Sequence, residues 1–73
     1  MNPATFVSDV MTEYIKARKN FNAFHSPHEG YAVLLEEVDE VWEEVKHRTT
    51  YANFYSELVQ VAAMAMAMAL EGA

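Results

Sequence analysis

Apolar side chains recur at helical spacing over residues 31–45, and this pattern constrains the fold more than any other feature of the sequence. The preceding "SPHE" is a helix start signal, with Ser26 as N-cap, Pro27 at the first helical position and Glu29 completing a capping box. These signals predict an amphipathic helix that begins at Pro27 and suits packing in a bundle. At about 100° per residue, one stripe of this helix contains Tyr31, Leu34, Leu35, Val38, Val41, Trp42 and Val45.

A shorter helix is expected at the start of the chain. Asn2 can serve as its N-cap and Pro3 as its first helical position. We expect it to end near Asn20. Its apolar face at helical spacing consists of Phe6, Val7, Val10, Met11, Tyr14 and Ile15.

A third helix is expected from about Tyr51 to Glu71, after "HRTT" interrupts the pattern, with Thr49 or Thr50 as N-cap and Gly72 as stop signal. Its second half is apolar on every side, so it needs cover all round, and it is too short to span a membrane. A core of this size contributes only about 3–5 kcal/mol. We therefore expect one all-α domain over residues 1–73, a three-helix protomer that forms a homodimer or homotetramer of the four-helix-bundle type.

Composition limits the partners and the compartment. The formal net charge is −6, which argues against binding a nucleic acid polymer, because neutralising phosphates requires clustered Lys and Arg. The chain has no Cys, so neither a disulfide framework nor a thiolate metal site can form. The N-terminal residues lack the pattern of a signal peptide. We expect a cytoplasmic protein that does not enter membranes.

Acidic residues flank the stripe of the second helix and have polar counterparts on the third. Helices joined by a short loop pack antiparallel, which would place Glu37 opposite Gln60 and Glu40 opposite Glu57. Three crowded carboxylates raise one another's pKa unless a cation lies among them. Hard oxygen ligands select Mg²⁺ or Mn²⁺. A solvated glutamate-rich face is the alternative reading of any single E-x-x-E.

The segments "HEGYAVLLEEVDEVWEEVK" and "YSELVQVAAMAMA" resemble the MazG-like, all-α nucleoside triphosphate pyrophosphohydrolases, whose signature is E-E-x-x-E, a spacer and E-x-x-D. Glu36, Glu37 and Glu40 match the first part and Glu57 the second, whereas Gln60 replaces the family aspartate. The resemblance implies hydrolysis of an NTP or dNTP to the monophosphate and pyrophosphate. It also implies that Glu37, Glu40, Glu57 and Gln60 bind the Mg²⁺, with Glu36 as a supporting residue or base.

Four further residues are candidates for substrate binding. The segment "FHSPHEG" resembles the F-H-x-P run of the deoxycytidine triphosphatase branch, where the histidine lies by the nucleobase, which implies that role for His25. Trp42 can stack on a base, although aromatic residues of an apolar stripe are usually core. Lys16 and Arg18, in the segment "KARK" with Lys19, can hold phosphates, or these basic residues can instead complement the dipole at the end of the first helix.

Two other functional classes remain open. Glu44 and His47 form the E-x-x-H of di-iron carboxylate bundles, of which each chain of a homodimer would supply one. The other class is a non-catalytic helical interaction module. Metal-dependent release of pyrophosphate separates the enzyme from such a module, and bound iron with an absorption band would indicate the di-iron protein.

Overall fold

The computed structural model describes residues 2–71, which form three helices joined by two short connections. The helices are α1 (Pro3–Asn20), α2 (Pro27–His47) and α3 (Tyr51–Glu71). No strand occurs among these residues, so the predicted all-α class is confirmed, and the helix boundaries agree with those expected from the sequence. Gly72, the predicted stop signal of the third helix, lies outside the described residues.

Each helix begins at a side-chain cap. Asn2, Ser26 and Thr50 each accept a hydrogen bond from a backbone N–H group two or three residues further along the chain. The capping box of α2 differs from the prediction in its second half. The carboxylate of Glu29 accepts the backbone N–H of His25 at 3.0 Å, and it also lies 3.1 Å from the Nδ1 of the same histidine. Glu29 therefore fixes the end of the α1–α2 connection.

The connection from α2 to α3 turns through Arg48, which has a φ of 49° in the left-handed region. Its backbone N–H is directed at the carbonyls of Glu44 and Val45, so the last carbonyls of α2 are satisfied without a glycine. The hydroxyl of Thr49 donates a hydrogen bond to the Glu44 carboxylate. These contacts end α2 immediately before α3 begins.

α3 is the central helix, because it packs against both α1 and α2, whereas α1 and α2 do not pack directly on each other within residues 2–71. Gly30 permits the close approach of α2, since a Cβ added there would lie 2.8 Å from the Cγ of Met68. The buried core is small. Its cluster consists of Val10, Ala17, Val59, Ala63 and Met64.

The apolar stripe predicted for α2 is not buried as a unit. Leu34 packs against the core and Val41 is half-buried, but the remaining five residues of the stripe are exposed. The helix is rotated so that Val33, Glu37 and Glu44 lie on the partly buried side. Two of the acidic residues that flank the stripe, Glu37 and Glu44, therefore lie on the inner surface of α2, whereas Glu40 is exposed.

The second half of α3 is covered over only part of its circumference. Ala63 and Ala67 are fully buried, whereas Ala65, Ala69 and Leu70 are exposed. Within residues 2–71, none of the helices combines the length and the apolar character that a membrane crossing requires.

Candidate metal site

Three glutamates from two helices bring their carboxylates together. Glu37 and Glu40 are three residues apart on α2, so they share a face, and Glu57 reaches them from α3. One oxygen of each lies within 4.8 Å of the other two. Glu37 and Glu57 are half-buried and Glu40 is exposed, so the cluster lies at the edge of the α2–α3 contact. These are the three glutamates that the sequence predicted to converge.

The environment of the cluster favours protonation. Burial, together with the charge of Glu40 and a hydrogen bond with it, raises the pKa of Glu37 from 4.5 to about 7; the charges of Glu57 and Glu36 contribute less. Burial also raises the pKa of Glu57, followed by a hydrogen bond with Glu40 and the charges of Glu40 and Glu44. Glu40 therefore interacts with two carboxyl groups, those of Glu37 and Glu57, whose raised pKa values favour the protonated form.

No basic side chain of residues 2–71 neutralises this cluster. The ion pairs formed by the described residues involve other glutamates, namely Glu29, Glu43 and Glu71. The Oε2 atoms of Glu37 and Glu57 are buried and have no hydrogen-bond partner among the described residues; the Oε2 of Glu71 also lacks a hydrogen bond but lies 3.1 Å from the Nε of Arg18. Buried polar atoms without partners are costly. A hard divalent cation fits this set, because its ligands are carboxylate oxygens.

A cavity of about 400 Å³ opens beside the cluster. Glu37 of α2 and Gln60 of α3 both line it, so the amide of Gln60 shares the cavity with one carboxylate of the cluster. Its volume is within the range of small-molecule sites, roughly 300–1,000 Å³. The other walls combine apolar, amide and charged side chains from α1, the α1–α2 connection, α2 and α3. The charged ones are Glu13, Lys16, Arg18 and Glu29, and the others are Ala17, Asn20, Phe21, Asn22, Phe24, Val33 and Met64.

The residues predicted to bind substrate separate into two groups. Lys16 and Arg18 line the large cavity, so they share it with Glu37. His25 instead borders a neighbouring cavity of about 130 Å³. Trp42 lines neither cavity, because it lies on the exposed outer side of α2, where the ammonium of Lys46 is 5.8 Å from its ring centre.

Glu36, the candidate base, is exposed on α2 beside Glu37. It is outside the set of three converging carboxylates, although its charge contributes to the raised pKa of Glu37. Its side chain is accessible to solvent. The cluster itself consists of Glu37, Glu40 and Glu57.

Arg18 has structural partners as well as a place in the cavity. Its Nε lies 3.1 Å from the Oε2 of Glu71, and its guanidinium carbon lies 5.8 Å and 5.7 Å from the ring centres of Tyr14 and Phe24. The backbone N–H of Phe24 donates to the Oε1 of Glu71 at 3.2 Å. These contacts connect the end of α1, the following connection and the end of α3.

The sequence analysis missed Glu71 as the partner of Arg18. A signal was available, because Glu71 is the one acidic residue in the apolar second half of α3, and a partly buried carboxylate needs a partner. Asn20 and Asn22 were also missed as cavity residues. No periodicity marks them, since they lie at and beyond the end of α1.

The E-x-x-H pair does not converge within the chain. The Glu44 carboxylate accepts the hydroxyl of Thr49. The Nδ1 of His47 lies 2.9 Å from the backbone carbonyl oxygen of Glu43 and 3.6 Å from its Oε2. The two side chains thus have separate local partners, and no observation favours an iron site over the three-glutamate cluster.

Comparisons with known proteins found no match: no family model, no curated protein and no solved structure is significantly similar to this chain. Any statement about its activity therefore depends on its own residues and their arrangement.

Proposed function

We propose that this chain is a metal-dependent nucleotide pyrophosphohydrolase of the MazG-like type, which converts an NTP or dNTP to the monophosphate and pyrophosphate. The observation that supports this most strongly is the convergence of Glu37, Glu40 and Glu57 within 4.8 Å, without a basic partner among the described residues. The adjoining cavity of about 400 Å³ is lined by Glu37, so a nucleotide bound there would reach the cluster at this carboxylate.

Glu37, Glu40 and Glu57 would hold the cation through carboxylate oxygens, and Gln60 would add its amide oxygen or position a bound water. Bound Mg²⁺ or Mn²⁺ supplies positive charge that neutralises phosphates and lowers the pKa of an attacking water. Water adds to phosphorus, the bridging bond between the α- and β-phosphoryl groups breaks, and pyrophosphate leaves. Glu36 is the candidate acceptor of the water proton, because it is exposed next to Glu37.

The cavity suggests how the substrate is held. Lys16 lines it and makes no ion pair among residues 2–71, so its ammonium is available to a phosphate. Arg18 adds positive charge there, although Glu71 offsets part of it. His25 remains the proposed contact for the base. Trp42 lies on the outer side of α2 and lines neither cavity, so we assign it no contact with the substrate.

The proposal includes the assembly. α2 and α3 would form an antiparallel hairpin, which agrees with the pairing of Glu40 with Glu57 near one end and the approach of Gly30 to Met68 near the other. We further propose a cytoplasmic homodimer or homotetramer of helical bundles. The exposed apolar surface on the second half of α3 supports the self-association.

A screen of the common NTPs and dNTPs with Mg²⁺, with pyrophosphate release as the readout, tests the activity. We expect at least one nucleotide to be hydrolysed in a reaction that a chelator abolishes. Glu57→Gln should lower kcat/KM by at least about 100-fold, because it removes a metal ligand. Glu43→Gln is the matched control, since Glu43 is an exposed residue of α2 outside the cluster, and should retain activity. Absence of pyrophosphate with every nucleotide would contradict the proposal.

A further inference from the structure

A side of α2 adjacent to the one that contacts α3 carries a continuous row of apolar side chains. We call this row the outer face. Its members are between 43% and 59% exposed, and their spacing alternates between four and three residues. Such spacing, with a mean period of about 3.5 residues, is the pattern by which one helix packs along another. The outer face consists of Tyr31, Leu35, Val38, Trp42 and Val45.

α2 leaves large apolar residues uncovered beside its contact with α3. Its covered side includes Leu34 together with the half-buried Glu37 and Glu44, and the outer face lies roughly a third of a turn away. Contiguous exposed apolar surface of this kind marks an interaction site. α1 does not cover it, because α1 and α2 do not pack on each other within residues 2–71.

The protomer also buries little surface for its mass. Its accessible surface is 5162 Å², and a compact monomer of 8.3 kDa exposes about 4,600 Å². None of its large side chains in residues 2–71 is fully buried. The accessible surface is larger than that of a compact monomer, as expected of a subunit whose apolar surface is covered by a partner.

We infer that the outer face of α2 binds the same face of a second copy of this chain across a two-fold axis. This inference rests on the self-association proposed above but not on the hydrolytic activity. At roughly half exposure, the five side chains offer on the order of 500 Å² per chain and about 1,000 Å² per pair, which reaches the lower bound of specific interfaces before flanking residues are counted.

A second copy fits better than an unrelated partner because the face is self-complementary. Val38 lies at its midpoint, so a two-fold axis near Val38 places Tyr31 of each chain against Val45 of the other, with large residues against small ones. This arrangement is antiparallel, which opposes the helix dipoles. It also brings the end of α2 that carries Lys46 toward the partner's end that carries Glu29.

Matched valine substitutions test the interface. Val38→Asp places a charge at the centre of the outer face, and Val7→Asp makes the same change at an exposed position of α1. Sedimentation of the full chain over a range of concentrations should show an associated wild type, an unchanged Val7→Asp variant and a Val38→Asp variant whose association is at least about 100-fold weaker. Circular dichroism would report whether each variant is folded.

Three outcomes would overturn the inference. If Val38→Asp is folded and associates like the wild type, the chains meet elsewhere, although self-association stands. If only Val7→Asp dissociates, the interface is on α1. If the wild type is a monomer at every concentration, both the interface and the proposed assembly fail, whereas the pyrophosphate assay would still decide the activity separately.

A cysteine variant keeps the inference testable if Val38→Asp does not fold. The chain has no cysteine, so a single introduced thiol can form a disulfide only with another molecule. Val38→Cys should form a covalent dimer rapidly under mild oxidation, because residues near a two-fold axis approach each other closely enough for a disulfide. Val7→Cys is the control. Equal or faster cross-linking of Val7→Cys would contradict the proposed interface.

Discussion

Partly buried carboxylates occur at two places in this protein, and their surroundings differ. Glu71 at the end of α3 accepts the backbone N–H of Phe24 and lies 3.1 Å from the guanidinium of Arg18. Glu37 and Glu57 lie among other carboxylates and raise the electrostatic cost of the fold. The charge of Glu71 is compensated by Arg18 of the same chain, whereas Glu37 and Glu57 require a proton or a cation from solution.

The difference distinguishes a structural carboxylate from those of the proposed metal site. A carboxylate with a guanidinium partner stays charged and fixes neighbouring segments, because breaking such a pair leaves an uncompensated charge. A cluster of carboxylates without a basic partner destabilises the metal-free protein. Binding of a cation relieves the repulsion between the carboxylates, so the folded protein is more stable with the cation bound. The same conservative substitution should therefore have opposite effects at the two places.

The largest expected effect is stabilisation by metal. Mg²⁺ at about 100 times its dissociation constant should stabilise the protein by about 2.7 kcal/mol, which corresponds to a rise in Tm of more than about 10 °C. Glu57→Gln should reduce this gain, because it removes one carboxylate of the cluster, whereas Glu71→Gln should retain it. Thermal melting with Mg²⁺ and with chelator measures both. An unchanged Tm at saturating Mg²⁺ would remove the distinction between the two groups.

The next effect concerns the compensated carboxylate. Glu71→Gln should lower the free energy of unfolding by about 2 kcal/mol, because Arg18 loses its charged partner in a site where the two side chains are only 22% and 13% exposed. The loss should be the same with and without Mg²⁺. Asp39→Asn changes an exposed carboxylate of α2 and should leave the stability almost unchanged. A loss that Mg²⁺ reverses would place Glu71 in the metal site.

A substitution at Gln60 sharpens the comparison by adding a charge to the cluster. Gln60→Asp should tighten Mg²⁺ binding about tenfold and lower the Tm in chelator, because a fourth carboxylate attracts the cation and repels Glu37. Calorimetric titration measures the affinity, and melting in both buffers measures the stability. A variant without a gain in affinity and with a lower Tm in both buffers would exclude Gln60 from the site.

The smallest expected effect is the pH dependence of the metal-free protein. Protonated Glu37 is favoured in the folded state, since its pKa is raised from 4.5 to about 7. Stability should therefore fall as the pH rises from about 4.5 to 7 and then level off. After allowance for solvent screening we expect a loss of about 1 kcal/mol, or about 4–8 °C in Tm.

Two variants check the origin of this pH dependence. Glu37→Gln should weaken it and raise the Tm in chelator near pH 7, because the amide has no charge to desolvate. Saturating Mg²⁺ should also weaken it, since the cation favours the ionised carboxylates. Stability that rises over the same pH range in the metal-free protein would contradict the uncompensated state of the cluster.

Local signals in the sequence determined the secondary structure of this protein. Asn2, Ser26 and Thr50 start the three helices because each side-chain oxygen satisfies a backbone N–H within three residues. The proximity of Glu40 to Glu57 also followed from the sequence, because a short connection fixes the register of two neighbouring helices. The caps act on residues close along the chain, and the proximity of Glu40 to Glu57 depends on the short connection between α2 and α3.

Only the tertiary structure decided which side of each helix is covered. Periodicity places apolar residues on a common stripe, but it does not fix the rotation of the helix, and α3 contacts α2 through the side that carries Glu37 and leaves Trp42 exposed. The ion pair of Arg18 with Glu71 likewise joins residues more than 50 positions apart. Such contacts depend on how three helices pack together, which a pattern within one helix does not specify.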